Sequence, residues 1–151
     1  MRHLIAAIVV VIGAWVSVTA EASGSIVVER AWARATPKGA PNGAAYLTLA
    51  NNGSESDRLI DASSPAAENI QFHEEKVENG IAKMSQLEAI EVPPGATVRL
   101  KPGGVHLMMR LKRQLQVGEA FPLTLNFERA GAVEVTITIG RAGAMDDTSG
   151  K

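Results

Sequence analysis

His73, Met84, His106 and Met108 form one ordered series. Ten residues separate the first two, twenty-one the second pair and one the third, giving His-x10-Met-x21-His-x-Met. If residues 1–22 are removed as a leader, six His and Met residues remain, and only Met109 and Met145 fall outside the series. The chain has no cysteine. Imidazole and thioether donors without a thiolate suit a soft monovalent ion, and Cu(I) is the natural candidate, one per chain. A thioether also cannot form a disulfide and carries no proton to lose, so it can hold metal in an oxidising compartment. Taken singly, these residues have plainer readings. A histidine on a strand is more commonly a surface or hydrogen-bonded residue, and a lone methionine more commonly fills a core.

The two ends frame where such chemistry would occur. Arg2 supplies a positive start, residues 4–18 are almost wholly apolar, and small residues follow at Val18, Ala20 and Ala22. This is the pattern of a secretory signal, cleaved after Ala22 by first choice and after Ala20 by second. The apolar run is shorter than the ~20 residues that span a bilayer comfortably, and no second segment could cross. The expected divisions are a signal peptide at 1–22, one domain at 23–141 and a mobile tail at 142–151. The expected location is the periplasm. With no disulfide available, the core must carry the fold alone. Fifteen basic residues nearly balance sixteen acidic ones, for a net charge of −1. Losing Arg2 and Glu21 with the leader leaves that balance unchanged. Nothing in it suggests a nucleic-acid surface.

The elements that must position the series read as strands. From Ser25 onward, short apolar runs are broken by Gly, Pro and Asn at the spacing of an all-β domain. Phe121, Leu123, Leu125 and Phe127 alternate with polar residues and Pro122. Val133, Val135, Ile137 and Ile139 do the same after a short link through Gly131, so these two runs make a hairpin. Further strands are expected at 26–34, 44–49, 58–63, 69–77, 81–87, 90–92, 97–101 and 105–111. No long 3.6-period segment suggests a helix. Two packed sheets, as a sandwich or small barrel, would bury these one-sided strands.

Strand parity then tests the series. In 105–111, His106, Met108 and Arg110 face one way and Leu107, Met109 and Leu111 the other, which makes Met109 core and Met108 a companion of the histidine. Asn79-Gly80 is the strongest two-residue hairpin signal. With that loop, Glu78 pairs with Ile81, Val77 with Ala82 and Glu75 with Met84. His73 then lies diagonal to Met84 on one face, within reach of a shared ion. Periodicity does not say whether the two halves of the series meet.

The spacing, with its flanks, resembles the periplasmic copper chaperones of the PCuAC type. The similarity runs through Ala31-Trp32-Ala33-Arg34-Ala35-Thr36-Pro37, Gly43-Ala44-Ala45-Tyr46-Leu47-Thr48-Leu49, Leu100-Lys101-Pro102-Gly103-Gly104-Val105-His106-Leu107-Met108 and Pro122-Leu123-Thr124-Leu125. The resemblance implies a cupredoxin-like Greek-key β-sandwich or barrel, with Cu(I) held by His73, Met84, His106 and Met108. It also implies a copper-accepting partner, either a cytochrome oxidase subunit or another copper chaperone. Two departures stand out. Glu74, Glu75 and Ala82 occupy positions near which family members often carry further Met, and the tail offers only Met145, Asp146 and Asp147. A second, Cu(II) site therefore has little to stand on.

No nucleophile or acid–base pair accompanies the series, so an enzyme is not expected. A blue-copper electron carrier needs a Cys thiolate and is excluded. A copper buffer or sensor that passes metal to nobody, and a metal-free β-sandwich interaction module, remain as alternatives to the chaperone.

Overall fold

The computed structural model describes residues 25–147. The expected signal peptide lies outside the described residues. Among those described there is no helix, and hence none long and apolar enough to cross a membrane. Ten strands follow in chain order: β1 (Ile26–Arg34), β2 (Asn42–Asn51), β3 (Asp57–Ser63), β4 (Ala67–Glu78), β5 (Ile81–Leu87), β6 (Ile90–Val92), β7 (Thr97–Arg99), β8 (Val105–Leu111), β9 (Ala120–Phe127) and β10 (Gly131–Gly140). The all-β, cupredoxin-like expectation holds.

Hydrogen bonds link the strands in one path, β5-β4-β8-β2-β1-β10-β9-β3-β6, with β7 added beside β2. The expected two layers, as a sandwich or small barrel, are continuous with each other: β2 joins them, because its first half pairs with β8 and its second half with β7. β1 is irregular between Glu29 and Trp32, where Arg30 takes a left-handed φ of 50°. Such a bulge bends a strand and sharpens its twist. Beyond it, β1 runs parallel to β10, pairing Trp32 with Thr138 and Arg34 with Gly140.

One core lies between the layers. Ala33, Ala45, Leu47, Phe72, Leu107, Met109, Leu123, Leu125, Ile137 and Ile139 belong to it, which are the inward positions of alternating strands. Two buried polar side chains pin loops to its rim. Asp57 accepts backbone N–H bonds from Arg58, Arg129 and Ala130. Asn51 donates to the carbonyls of Glu55 and Val92. Among the described residues no buried side-chain polar atom lacks a partner, as a native-like interior requires.

The strands that matter for the series are β5, β4 and β8, side by side at one edge. β4 outruns β8, whose pairing with it ends at Glu74 and Val105. The β4–β5 hairpin beyond that point projects past the sheet, closed by Asn79 at φ 52° and Gly80 at φ 75°. Both turn residues hold the left-handed conformation that a type I′ turn requires.

Candidate metal centre

The cross-strand registers bring the two halves of the series together. His73 stands directly opposite His106 in the β4–β8 pair, and Gln71 opposite Met108. Opposed residues share a face, so His73, His106, Met108 and Gln71 all sit on the side of the sheet away from the core. On the other flank β5 pairs Glu75 with Met84 and His73 with Gln86. Met84 therefore reaches His73 on the diagonal, with His73 Nδ1 3.3 Å from Met84 Sδ. The two imidazoles meet nearly edge to face, centroids 5.9 Å apart and planes at 68°.

The 3.3 Å separation is informative. Metal bonds of about 2.0 Å to imidazole and 2.3 Å to sulfur, as at tetrahedral zinc, place the two donors roughly 3.5 Å apart. The His73–Met84 pair already stands at the distance that two ligands of one ion would keep. Met108 lies on the same face, one step along β8 from His106 and half-buried. Met109 is fully buried in the core. Parity thus separates the adjacent methionines as the alternation of β8 requires.

The centre is graded in exposure. His106 is 4% exposed, and its Nδ1–H donates to the Gly104 carbonyl at 3.0 Å. Met84 at the other end is 52% exposed. Behind His106 runs an aromatic row across β8, β2 and β1. Tyr46 lies 6.4 Å from the His106 ring, and Trp32 stacks on Tyr46 at 4.6 Å. Both aromatics are buried, although they sit on the face away from the main core. The Arg34 guanidinium stands 5.7 Å above the Tyr46 ring. The segment after β10 turns back to meet it: Arg34 Nε donates to the Ala144 carbonyl at 2.8 Å, and its terminal nitrogen lies 3.1 Å from Met145 Sδ.

Electrostatics favour the neutral, ligating form of His73. Burial lowers its pKa, and the neighbouring His106 lowers it further. Burial likewise raises the Tyr46 pKa, opposed by Arg34 and assisted by Glu75. Glu74 and Glu75 could have made a harder site, but among the described residues no three His, Cys, Asp or Glu side chains form a group able to hold an ion. Glu74 is paired with Lys76 at 3.0 Å. A site at this edge with three or more donors drawn from His, Met, Cys, Asp and Glu side chains of the described residues therefore includes a thioether.

Five participants had no chemical signal in the sequence. Gln71 and Gly104 contact the histidines, and Trp32, Arg34 and Tyr46 back them. The last three occur in segments that carry the family resemblance, but only the pairings of β1, β2 and β8 place them beside His106.

The fold and this edge define an all-β domain with a mixed imidazole–thioether cluster at a sheet margin. Residues 26–139 match the family described as "Putative lipoprotein LpqE-like". A protein of Leifsonia xyli subsp. xyli, described as a "Putative lipoprotein", is 33% identical over 114 residues, which are 74% of this chain and 68% of that one. Among solved structures, the apo PCuAC domain of PmoF2 superposes with a TM-score of 0.69 at 31% identity, over 82% of this chain and 95% of that one. The copper-bound PCuAC domain of PmoF2 gives 0.68 at 30%, over 78% and 94%. The Cu(I) form of DR1885 from Deinococcus radiodurans gives 0.65 at 30%, over 81% and 82%. The chain belongs to the LpqE-like family, and its domain is of the PCuAC type.

Proposed function

We propose that this protein is an exported copper chaperone that holds one Cu(I) between His73, Met84, His106 and Met108 and yields it to a partner. The observation that carries this reading is the meeting of His73 with Met84 at 3.3 Å and with His106 directly across the strand pair. Relatives solved with copper support the choice of ion. Cu(I) is d10 and tolerates irregular coordination, and four neutral ligands hold it without a charge penalty against release. The exposed Met84 can be displaced first by an incoming ligand, while buried His106 keeps the ion placed. That arrangement suits an ion carrier with no reaction of its own. The recipient suggested by the family is a copper site of cytochrome oxidase, and the compartment is the periplasm, reached through the leader at 1–22.

Anaerobic titration against a chromophoric Cu(I) chelator tests the site. One Cu(I) per chain is expected, lost in His106→Ala and Met84→Ala, with Zn(II) far weaker because thioethers are poor zinc ligands. Comparable Zn(II) and Cu(I) affinities, or copper uptake indifferent to both substitutions, would overturn the soft-site reading. Transfer to an apo cytochrome oxidase copper domain then separates a chaperone from a buffer.

A further inference from the structure

The two histidines are held by different ring nitrogens. We infer that the metal-free chain is pre-set to offer Nδ1 of His73 and Nε2 of His106 to one ion, with the Gly104 carbonyl and the Gln71 amide as positioning groups. The identity of the ion rests on the copper reading above; the proton positions do not.

At His106 the reasoning is strict. A carbonyl oxygen can only accept a hydrogen bond. Gly104 O lies 3.0 Å from Nδ1, so Nδ1 carries the proton and the lone pair is on Nε2. The aim of that carbonyl is itself fixed. It accepts the Glu75 N–H of β4 at 3.1 Å, and its turn is closed by Gly104 N–H to Lys101 O at 3.1 Å and Lys101 N–H to Val105 O at 2.9 Å. Gly103 holds φ 74° in that turn, a conformation glycine adopts without steric cost. The Pro102-Gly103-Gly104 turn therefore does more than reverse the chain. It dictates the tautomer of a buried ring two residues downstream.

At His73 the support is a side chain. Its Nε2 lies 3.2 Å from Gln71 Oε1, and with the amide oxygen turned to the ring that contact requires a proton on Nε2. In this amide orientation the Nδ1 lone pair faces Met84 Sδ at 3.3 Å. The flipped amide would reverse the tautomer, and the nitrogen spectrum of the metal-free chain tells the two apart. Two lone-pair donors facing at that distance gain little from each other and much from a cation between them. Gln71 stands opposite Met108 across β4 and β8, so it shares the ligand face without belonging to the series. Groups that orient the second nitrogen of a ligating imidazole fix its tautomer and tune its basicity.

The test uses the 15N-labelled full chain and long-range 1H–15N correlation. In the metal-free protein above the histidine range, His106 should be protonated on Nδ1 and His73 on Nε2. Anaerobic Cu(I) should perturb His73 Nδ1 and His106 Nε2 and leave the other two nitrogens protonated. Gln71→Leu should mix the His73 tautomers and weaken Cu(I) about tenfold. Gln71→Glu, which keeps an acceptor oxygen, should restore the single tautomer. A proton on His106 Nε2 or on His73 Nδ1, or copper on the same nitrogen of both rings, would overturn the inference. If Cu(I) fails to bind, the copper reading falls, while the metal-free tautomers still decide this one. Should Gln71→Leu not fold, the wild-type spectrum decides alone.

Discussion

Met108 and Met109 are neighbours in sequence with opposite surroundings, so the same substitution in each separates ligand from core. Met109 is fully buried, paired across strands with Ile70 and Gly43. Met109→Leu nearly conserves volume and should cost less than about 1.5 kcal/mol of stability. Met108 is half-buried on the other face, so Met108→Leu should cost no more than that. Copper distinguishes them. Losing a ligand should weaken Cu(I) by at least the roughly 10–100-fold seen when supporting groups are removed. A hundredfold loss at fixed free copper removes about 2–3 kcal/mol of the stability that binding adds. For a domain of this size that is a loss of roughly 6–15 °C from the copper-induced rise in Tm. Thermal unfolding with and without buffered Cu(I), under anaerobic conditions, measures both terms. Met109→Leu should retain the full copper-induced rise and Met108→Leu should lose most of it. Equal copper-dependent shifts in the two variants would refute the parity argument.

Two further outcomes follow from the structure. Deleting 142–151 removes the contacts of Ala144 and Met145 with Arg34. Met145 is 65% exposed, so unfolding stability should fall by no more than about 1 kcal/mol and Cu(I) binding should persist; copper uptake that disappears with the tail would assign Met145, Asp146 and Asp147 a metal-gathering role. In the metal-free protein, His73 should titrate below its ordinary value of 6.5 because burial and His106 lower its pKa. Between that folded value and about 6.5 the unfolded chain binds the extra proton, so this contribution is complete above pH 6.5 and is lost as pH falls through the window. An NMR titration placing His73 above 6.5 would contradict the stated causes.

Local chemistry was legible in the sequence and long-range pairing was not. Asn79-Gly80 set the hairpin register, and Glu78 pairs with Ile81, Val77 with Ala82 and Glu75 with Met84 as the turn demands. Alternation in β8 sorted Met109 into the core. No local signal could place β8 against β4, because a strand's edge carries the same backbone groups whatever its neighbour. The opposition of His73 and His106 is therefore a product of topology. The strand expected at 97–101 is shorter in the structure: β7 ends at Arg99, because Leu100 is buried in the core and the chain then reverses through Pro102 and Gly103. The doubling of one continuous hydrogen-bonded path was also hidden, since β2 shows no break where it changes partner from β8 to β7.

The aromatic row has a use of its own. The sequence contains two tryptophans, Trp15 and Trp32. If residues 1–22 are cleaved as proposed, Trp32 is the sole indole, two ring contacts from His106 through Tyr46. Indole emission responds to nearby charge and is quenched by a paramagnetic ion, whereas d10 Cu(I) is diamagnetic. The protein thus carries an intrinsic optical probe at the buried end of its cluster. If the chain carries copper as proposed, oxidation of that ion, or its departure to an acceptor, should register in Trp32 emission on the unlabelled chain.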